Sequence, residues 1–192
     1  MTELPTTRRG AATSRRILDA ATVEFAERGI AGARVDRIVA AARTNKAQLY
    51  GYFGSKDGLF DAVLADLTDQ GVDKVPFDAA DLPGWAVSVY DRNLQNPDLA
   101  RLLTWARLER RPPGLVLGNY DIEPKLKAVA EAQAAGHLRP GDPADLLVLV
   151  LGLASAWSPA SSVYAARSDE PGAVHDRRRA LLRDSVERAI AP

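Results

Sequence analysis

Apolar residues along the first seventy positions recur at spacings of three, four and seven, which is the period of one face of a helix rather than of a strand. Between positions 13 and 29 they are Ile17, Leu18, Ala21, Phe25 and Ala26. This predicts an amphipathic helix with Arg28 in its last turn and Gly29 as its stop, because a left-handed cap residue is cheap only for glycine. After a short connection, Val35, Ile38, Val39 and Ala42 predict a second helix of about two turns. Arg43 and Thr44 interrupt it, and Asn45 is placed to cap a third short helix over positions 46–53. Leu49 and Phe53, four residues apart, form the inward seam of that helix. Gly54 breaks it. Ser55 then caps a fourth helix, with Asp57 in the first turn and Leu59, Phe60, Val63, Leu64 and Leu67 as its apolar stripe.

From about position 71 onward the pattern is of further helices separated by proline and glycine. Asn96-Pro97-Asp98 and Asp142-Pro143 each place a capping side chain before a first-turn proline. Positions 111–114 and 135–141 carry loop composition. No strand-like alternation and no repeat occurs, so the expected body has about five helices. The longest apolar run, positions 146–154 with Gly152 inside, is far short of the roughly 18 residues a membrane span needs. Extended to Trp157, it predicts a helix that must be buried on several faces, and Gly152, Ala154 and Ser155 permit close approach. It fits either a central core helix or, with the last helix near 174–190, a subunit interface.

Charge changes this picture more than composition does. The net charge is zero, yet positions 1–60 hold 10 Lys and Arg against 6 Asp and Glu, while the remainder holds 15 against 19. A basic head on an acidic body fits local contact with nucleic acid. The overall neutrality weighs against a nonspecific coat that depends on many phosphate contacts. Arg8, Arg9, Arg15 and Arg16 fit either an arm reaching a minor groove or a charged helix start. Cysteine is absent, which excludes disulfides and thiolate metal sites. No apolar stretch follows the basic residues of the N-terminus, so no secretory signal is expected, and the expected location is the cytoplasm. With two histidines and no H-E-x-x-H or G-x-S-x-G pattern, no catalytic residue, metal or cofactor is assigned. Asp121 and Glu123 are a pair such as any chain with 25 acidic residues supplies.

Two short helices joined by a tight turn and braced by a longer helix on each side form a helix-turn-helix, here between positions 35 and 53. On its second helix Gln48 has bidentate geometry suited to adenine, and Lys46 can reach guanine acceptors or a phosphate. Tyr50 and Tyr52 can donate to phosphate oxygens. Positions 38–53, followed by Ser55-Lys56-Asp57-Gly58-Leu59, closely resemble the N-terminal domain of the tetracycline-repressor (TetR) family. Ile17-Leu-Asp-Ala-Ala21, Phe25-Ala-Glu-Arg-Gly29 and Leu49-Tyr-Gly-Tyr-Phe53 extend the resemblance over about positions 10–65.

The resemblance implies that Lys46, Ala47, Gln48, Tyr50 and Tyr52 face DNA, that Leu49 and Phe53 pack inward, and that Lys56 anchors a phosphate. Arg34, Thr44, Asn45 and Gly51 complete the expected DNA-facing set. Three departures stand out. Arg34 occupies the position of a capping Ser or Thr and cannot cap, leaving Asp36 to compensate through the helix dipole. The turn reads Ala42-Arg43-Thr44-Asn45 where the family commonly has Ala-Gly-Val-Ser, so either mild strain at Arg43 or a slightly altered turn is expected. Gly51 weakens the recognition helix by about 1 kcal/mol relative to alanine.

The implied fold is all-α: a three-helix DNA-binding head over 1–54, the fourth helix (55–70) as connector, and a helical effector-binding and dimerisation domain over 71–192. Trp85, Tyr90, Trp105, Tyr120 and Trp157 are the expected pocket aromatics, lining an effector cavity as the resemblance implies or else filling the core or an interface. A homodimer through helices near 143–167 and 174–190 would read a palindromic operator, and a small-molecule effector would release it by binding two arrangements unequally. A dimeric DNA-binding protein without an effector, or an interaction module without specific DNA binding, would share the same pattern.

Overall fold

A computed structural model of the chain describes residues 8–71, 76–111, 114 and 121–192. Nine α-helices occur among the described residues, with no strand: α1 (Arg8–Gly32), α2 (Val35–Ala41), α3 (Lys46–Phe53), α4 (Lys56–Gly71), α5 (Leu82–Gln95), α6 (Pro97–Arg110), α7 (Glu123–Ala134), α8 (Pro143–Ala154) and α9 (Gly172–Ile190). No described helix is long and apolar enough to cross a membrane. The chain divides into two compact units, residues 1–72 with 101–116 and residues 73–100 with 117–192.

The first unit is built on α1 to α4. Ile17, Ala21, Phe25, Ile38, Leu49, Leu59, Phe60 and Val63 are essentially inaccessible to solvent, and they are the residues that the three-to-four spacing puts on one face. The rings of Phe25 and Phe60 meet edge to face at 5.2 Å, a favoured aromatic geometry. The expected stop at Gly29 is a true break (φ 69°, ψ −178°), after which one more helical turn runs to Gly32. Arg15 and Arg16 do not belong to an arm. Both lie within α1, where Arg15 donates to both carboxylate oxygens of Asp66 at 2.6 and 2.7 Å and Arg16 donates to the Ala42 carbonyl at 3.1 Å.

The second unit packs α5, α7, α8 and α9 around Leu82, Ala86, Val89, Tyr90, Val129, Leu147, Val150, Leu182 and Val186. The α5–α9 pair is its most extensive contact, reinforced by Arg179–Asp91 at 2.8 Å and Arg183–Asp81 at 3.3 Å. Asp142 caps α8 by accepting from the Ala144 and Asp145 amides, as its Asp-Pro sequence predicts. α6 begins at Pro97 as expected, while Asn96 closes α5 by donating its amide to the Arg92 carbonyl at 2.8 Å. α8 ends at Ala154, before the expected Trp157. Covalently, α6 runs through both units, its residues from Arg101 on falling in the first.

Candidate nucleic-acid interface

The missing side-chain cap on α2 is real, and a neighbouring helix compensates for it. Arg34 takes the N-cap position in an extended conformation with no side-chain cap bond. In a capping box an acid three residues on would reach back to the N-cap amide, but here that position is Arg37. The acid comes instead from α1: Glu24 accepts from the Arg34 amide at 2.9 Å and from Arg37 Nε at 2.8 Å. Glu24 is buried, and its hydrogen bonds with Arg37 hold its carboxyl below the ordinary 4.5.

This arrangement carries a pH dependence with a defined sign. A carboxyl whose folded pKa is lowered stabilises the fold fully above 4.5 and loses that contribution as the pH falls through the folded value. Glu24→Gln is therefore expected to lower the melting temperature of the first unit by several degrees at neutral pH. The gap between wild type and variant should narrow below pH 4.5. Melting curves from pH 7 to pH 3 check this, and a gap that stays constant would remove Glu24 from the account.

The turn closes as the sequence demands. Arg43 has φ 52°, the left-handed value that the family's glycine would adopt without strain, and the Thr44 amide donates to the Val39 carbonyl at 3.0 Å. Asn45 Oδ1 then accepts from the Gln48 amide at 2.9 Å, capping α3. Leu49 and Phe53 are the buried residues of α3, so the opposite side is held outward. Lys46, Ala47, Gln48, Tyr50 and Gly51 are exposed, and Tyr52 is half-buried, its ring edge-to-face with Phe53 at 6.2 Å. A Cβ at Gly51 would meet no atom within 4 Å, so packing does not require a glycine there.

Two outward side chains are already oriented by neighbours. Lys46 Nζ pairs with Asp36 on α2 at 2.8 Å, and that partner raises its pKa. The Thr44 hydroxyl donates to Gln48 Oε1, leaving the Gln48 amide nitrogen to donate outward. Lys56 turns its ammonium to the Ala31 and Ala33 carbonyls at 3.4 and 3.3 Å, and Ser55 Oγ accepts from the Gly58 amide at 2.9 Å. Sequence pattern ties Asp36 only to the helix dipole and links neither Glu24 to Arg37 nor Arg16 to Ala42. The available signal was Glu24 itself, an acid adjoining Phe25 on the apolar stripe of α1.

The expected pocket aromatics fall in different places. Trp85 and Tyr90 lie in the core of the second unit, and Trp157 packs against that core, its ring edge-to-face with Tyr90 at 5.9 Å. Tyr90 also hydrogen-bonds His175 Nδ1 at 2.7 Å, and both side chains are buried. Trp105 lies in the first unit, where its Nε1 donates to the Ala26 carbonyl at 3.3 Å. Tyr120 lies outside the described residues.

A short helix with a buried two-residue seam, capped at its start and projecting cationic, amide and phenolic groups from its exposed side, defines a helix-turn-helix DNA-binding regulator. The pattern of bacterial regulatory proteins of the tetR family matches residues 17–63. That of the tetracyclin repressor-like C-terminal domain matches residues 81–188. The chain is 39% identical over 151 residues to the HTH-type transcriptional repressor SCO4008 of Streptomyces coelicolor, covering 77% of this chain and 78% of that one. The crystal structure of SCO4942, also from Streptomyces coelicolor, is similar with a TM-score of 0.76 at 38% identity, covering 93% of this chain and 98% of that chain. Salmonella enterica GusR shares the fold, with a TM-score of 0.67 at 22% identity over 96% of this chain and 98% of its own. The chain belongs to the TetR family of DNA-binding transcriptional regulators.

Proposed function

We propose that this protein is a cytoplasmic, non-enzymatic repressor that binds a palindromic operator as a homodimer and leaves it when a small molecule binds the second unit. The observation that carries the reading is α3, whose inner seam is buried while Lys46, Gln48 and Tyr50 stand exposed. Lys46 and Gln48 are the base-reading candidates, Tyr50 and Tyr52 the phosphate contacts, and Lys56 the anchor beside the amides of α4. Repression follows the named relative, a transcriptional repressor.

Dimerisation is supported by apolar side chains left open on α8 and α9: Val148, Leu149 and Leu181 are 55%, 47% and 53% exposed. An apolar surface of this kind on two neighbouring helices marks an association face. The effector site is drawn at Trp85, Tyr90 and Trp157, since Tyr90 meets Trp157 edge to face and hydrogen-bonds His175, and ligand sites commonly combine aromatic lining with a few polar groups.

Selection of bound sequences from random DNA, followed by titration of the recovered operator against random duplex at matched salt, tests the reading. The expected product is a palindrome with half-sites about 34 Å apart. Gln48→Ala and Tyr50→Ala should each weaken operator binding by about 1–3 kcal/mol while leaving the folded dimer intact. Equal affinity for operator and random duplex would overturn specific regulation, and a non-palindromic product would overturn the dimer.

A further inference from the structure

The turn after Gly29 lacks something that its own sequence cannot provide. Gly29 acts as the N-cap of that turn, its carbonyl accepting from the Ala33 amide at 3.2 Å. A glycine has no side chain to accept from the amides that follow, and these are the orphan donors of any helix start. The acceptor arrives from 78 residues along the chain: Glu109 Oε2 takes the Ala31 amide at 2.7 Å. The approach is possible only because position 29 has no Cβ, since that atom would lie 2.3 Å from Glu109 Oε1 and 2.8 Å from the Trp105 ring. Trp105 adds its own bond to the Ala26 carbonyl, on the other side of the break.

The next residue of α6 holds the opposite support of the head. Arg110 donates to Asp61 and, at 3.1 Å, to Asp57, both on α4. Its guanidinium lies over the Phe60 ring at 4.7 Å from the centroid. Chain order then matters. Residues 31–33 lead directly into α2, and Asp57 and Asp61 sit on the helix that leaves α3. Two consecutive residues of α6 therefore grip the segment entering the helix-turn-helix and the segment leaving it. The Lys56 ammonium, on the Ala31 and Ala33 carbonyls, joins the two gripped segments to each other.

We infer that Glu109 and Arg110 are positioning residues for DNA recognition, a clamp that fixes both ends of the helix-turn-helix without touching DNA. The inference rests on the operator-binding reading above. Glu109 is exposed, and the Arg110 side chain, itself 30% exposed, pairs with acids that are 71% and 63% exposed. Ion pairs with such open partners contribute little to global stability, so the effect of both residues belongs to the placement of α2 and α3. A reading constellation tolerates displacements of only about half an ångström, and residues that never touch the ligand commonly shift its affinity about two- to thirtyfold.

The test uses the full chain carrying Glu109→Ala, Arg110→Ala or Glu109→Gln, and two readouts. In hydrogen exchange without DNA, Glu109→Ala and Arg110→Ala should speed exchange across residues 30–34 and 55–61 and leave α5 and α9 unchanged. In titrations at matched salt, both should lose about tenfold in operator affinity while random-duplex affinity stays within about twofold. Glu109→Gln keeps an acceptor oxygen for Ala31 and should stay within about threefold of wild type on the operator. Unchanged exchange at both segments would overturn the clamp whatever the DNA result. So would equal losses on operator and random duplex, or a Glu109→Gln loss as large as that of alanine. A wild-type chain that fails to prefer its operator would instead overturn the proposed function, and the exchange readout would still decide the clamp.

Discussion

Gly29→Ala is expected to destabilise the first unit by about 2–6 kcal/mol, the largest single-residue effect in the head. Two causes add. At φ 69° and ψ −178° the backbone occupies a region essentially reserved for glycine, where another residue costs about 1–3 kcal/mol. The new methyl would also lie 2.3 Å from Glu109 Oε1 and 2.8 Å from Trp105 Cε3. A carboxylate can swing aside, but an indole bonded to the Ala26 carbonyl cannot do so without loss, and overpacking of this kind costs about 1–3 kcal/mol more. Calorimetry should show an early transition moving down by ten degrees or more while the transition of the second unit stays in place. A melting profile superimposable on wild type would mean that the break at residue 29 is not under the strain described.

Leu49→Ala is expected to cost about 2–5 kcal/mol and to weaken operator binding although Leu49 cannot reach DNA. α3 spans 8 residues and buries only Leu49 and Phe53. A helix this short does not persist by propensity, and Gly51 lowers that propensity further. Its conformation thus depends on the two-residue seam and the Asn45 cap. Removing Leu49, which is 0% exposed, takes away half of the seam and leaves a cavity. Operator titration well below the melting temperature should show weakened binding, and α3 amides should exchange faster. Full operator affinity with a lowered melting temperature would show that α3 is held by something other than its seam.

Local chemistry was legible in the chain. The bounds of α3, the caps at Asn45, Ser55 and Asp142, the break at Gly29 and the positive φ at Arg43 all depend on residues within a few positions of one another, and periodicity or turn chemistry reports such relations. Long-range substitutes were not legible. Glu24 serving the α2 amide, Arg16 serving the Ala42 carbonyl, and Glu109 and Arg110 serving both flanks of the head involve groups that only the folded chain brings together. No spacing rule links residue 31 to residue 109. Trp105 illustrates the same limit, since counting aromatics in the body grouped it with Trp85 and Tyr90 while its indole bonds to α1. α8 ends at Ala154 because the chain then tightens, the Ala156 amide donating to the Leu153 carbonyl at 3.2 Å and the Ser158 amide to the Ser155 carbonyl at 2.9 Å. Pro159 follows, and a proline disfavours a helical residue before it.

The carboxylate that serves α2 from a different helix sets the boundaries of any transplant. Moving residues 34–53 into a foreign scaffold would carry the proposed base-reading side chains of α3 and leave the Arg34 amide and the Arg37 guanidinium without Glu24. A chimera designed to change operator preference therefore has to exchange α1 together with α2 and α3, or else keep an acid at position 24 facing an arginine at position 37. The smallest portable specificity cassette of this protein is set by a hydrogen bond, not by the ends of its motif.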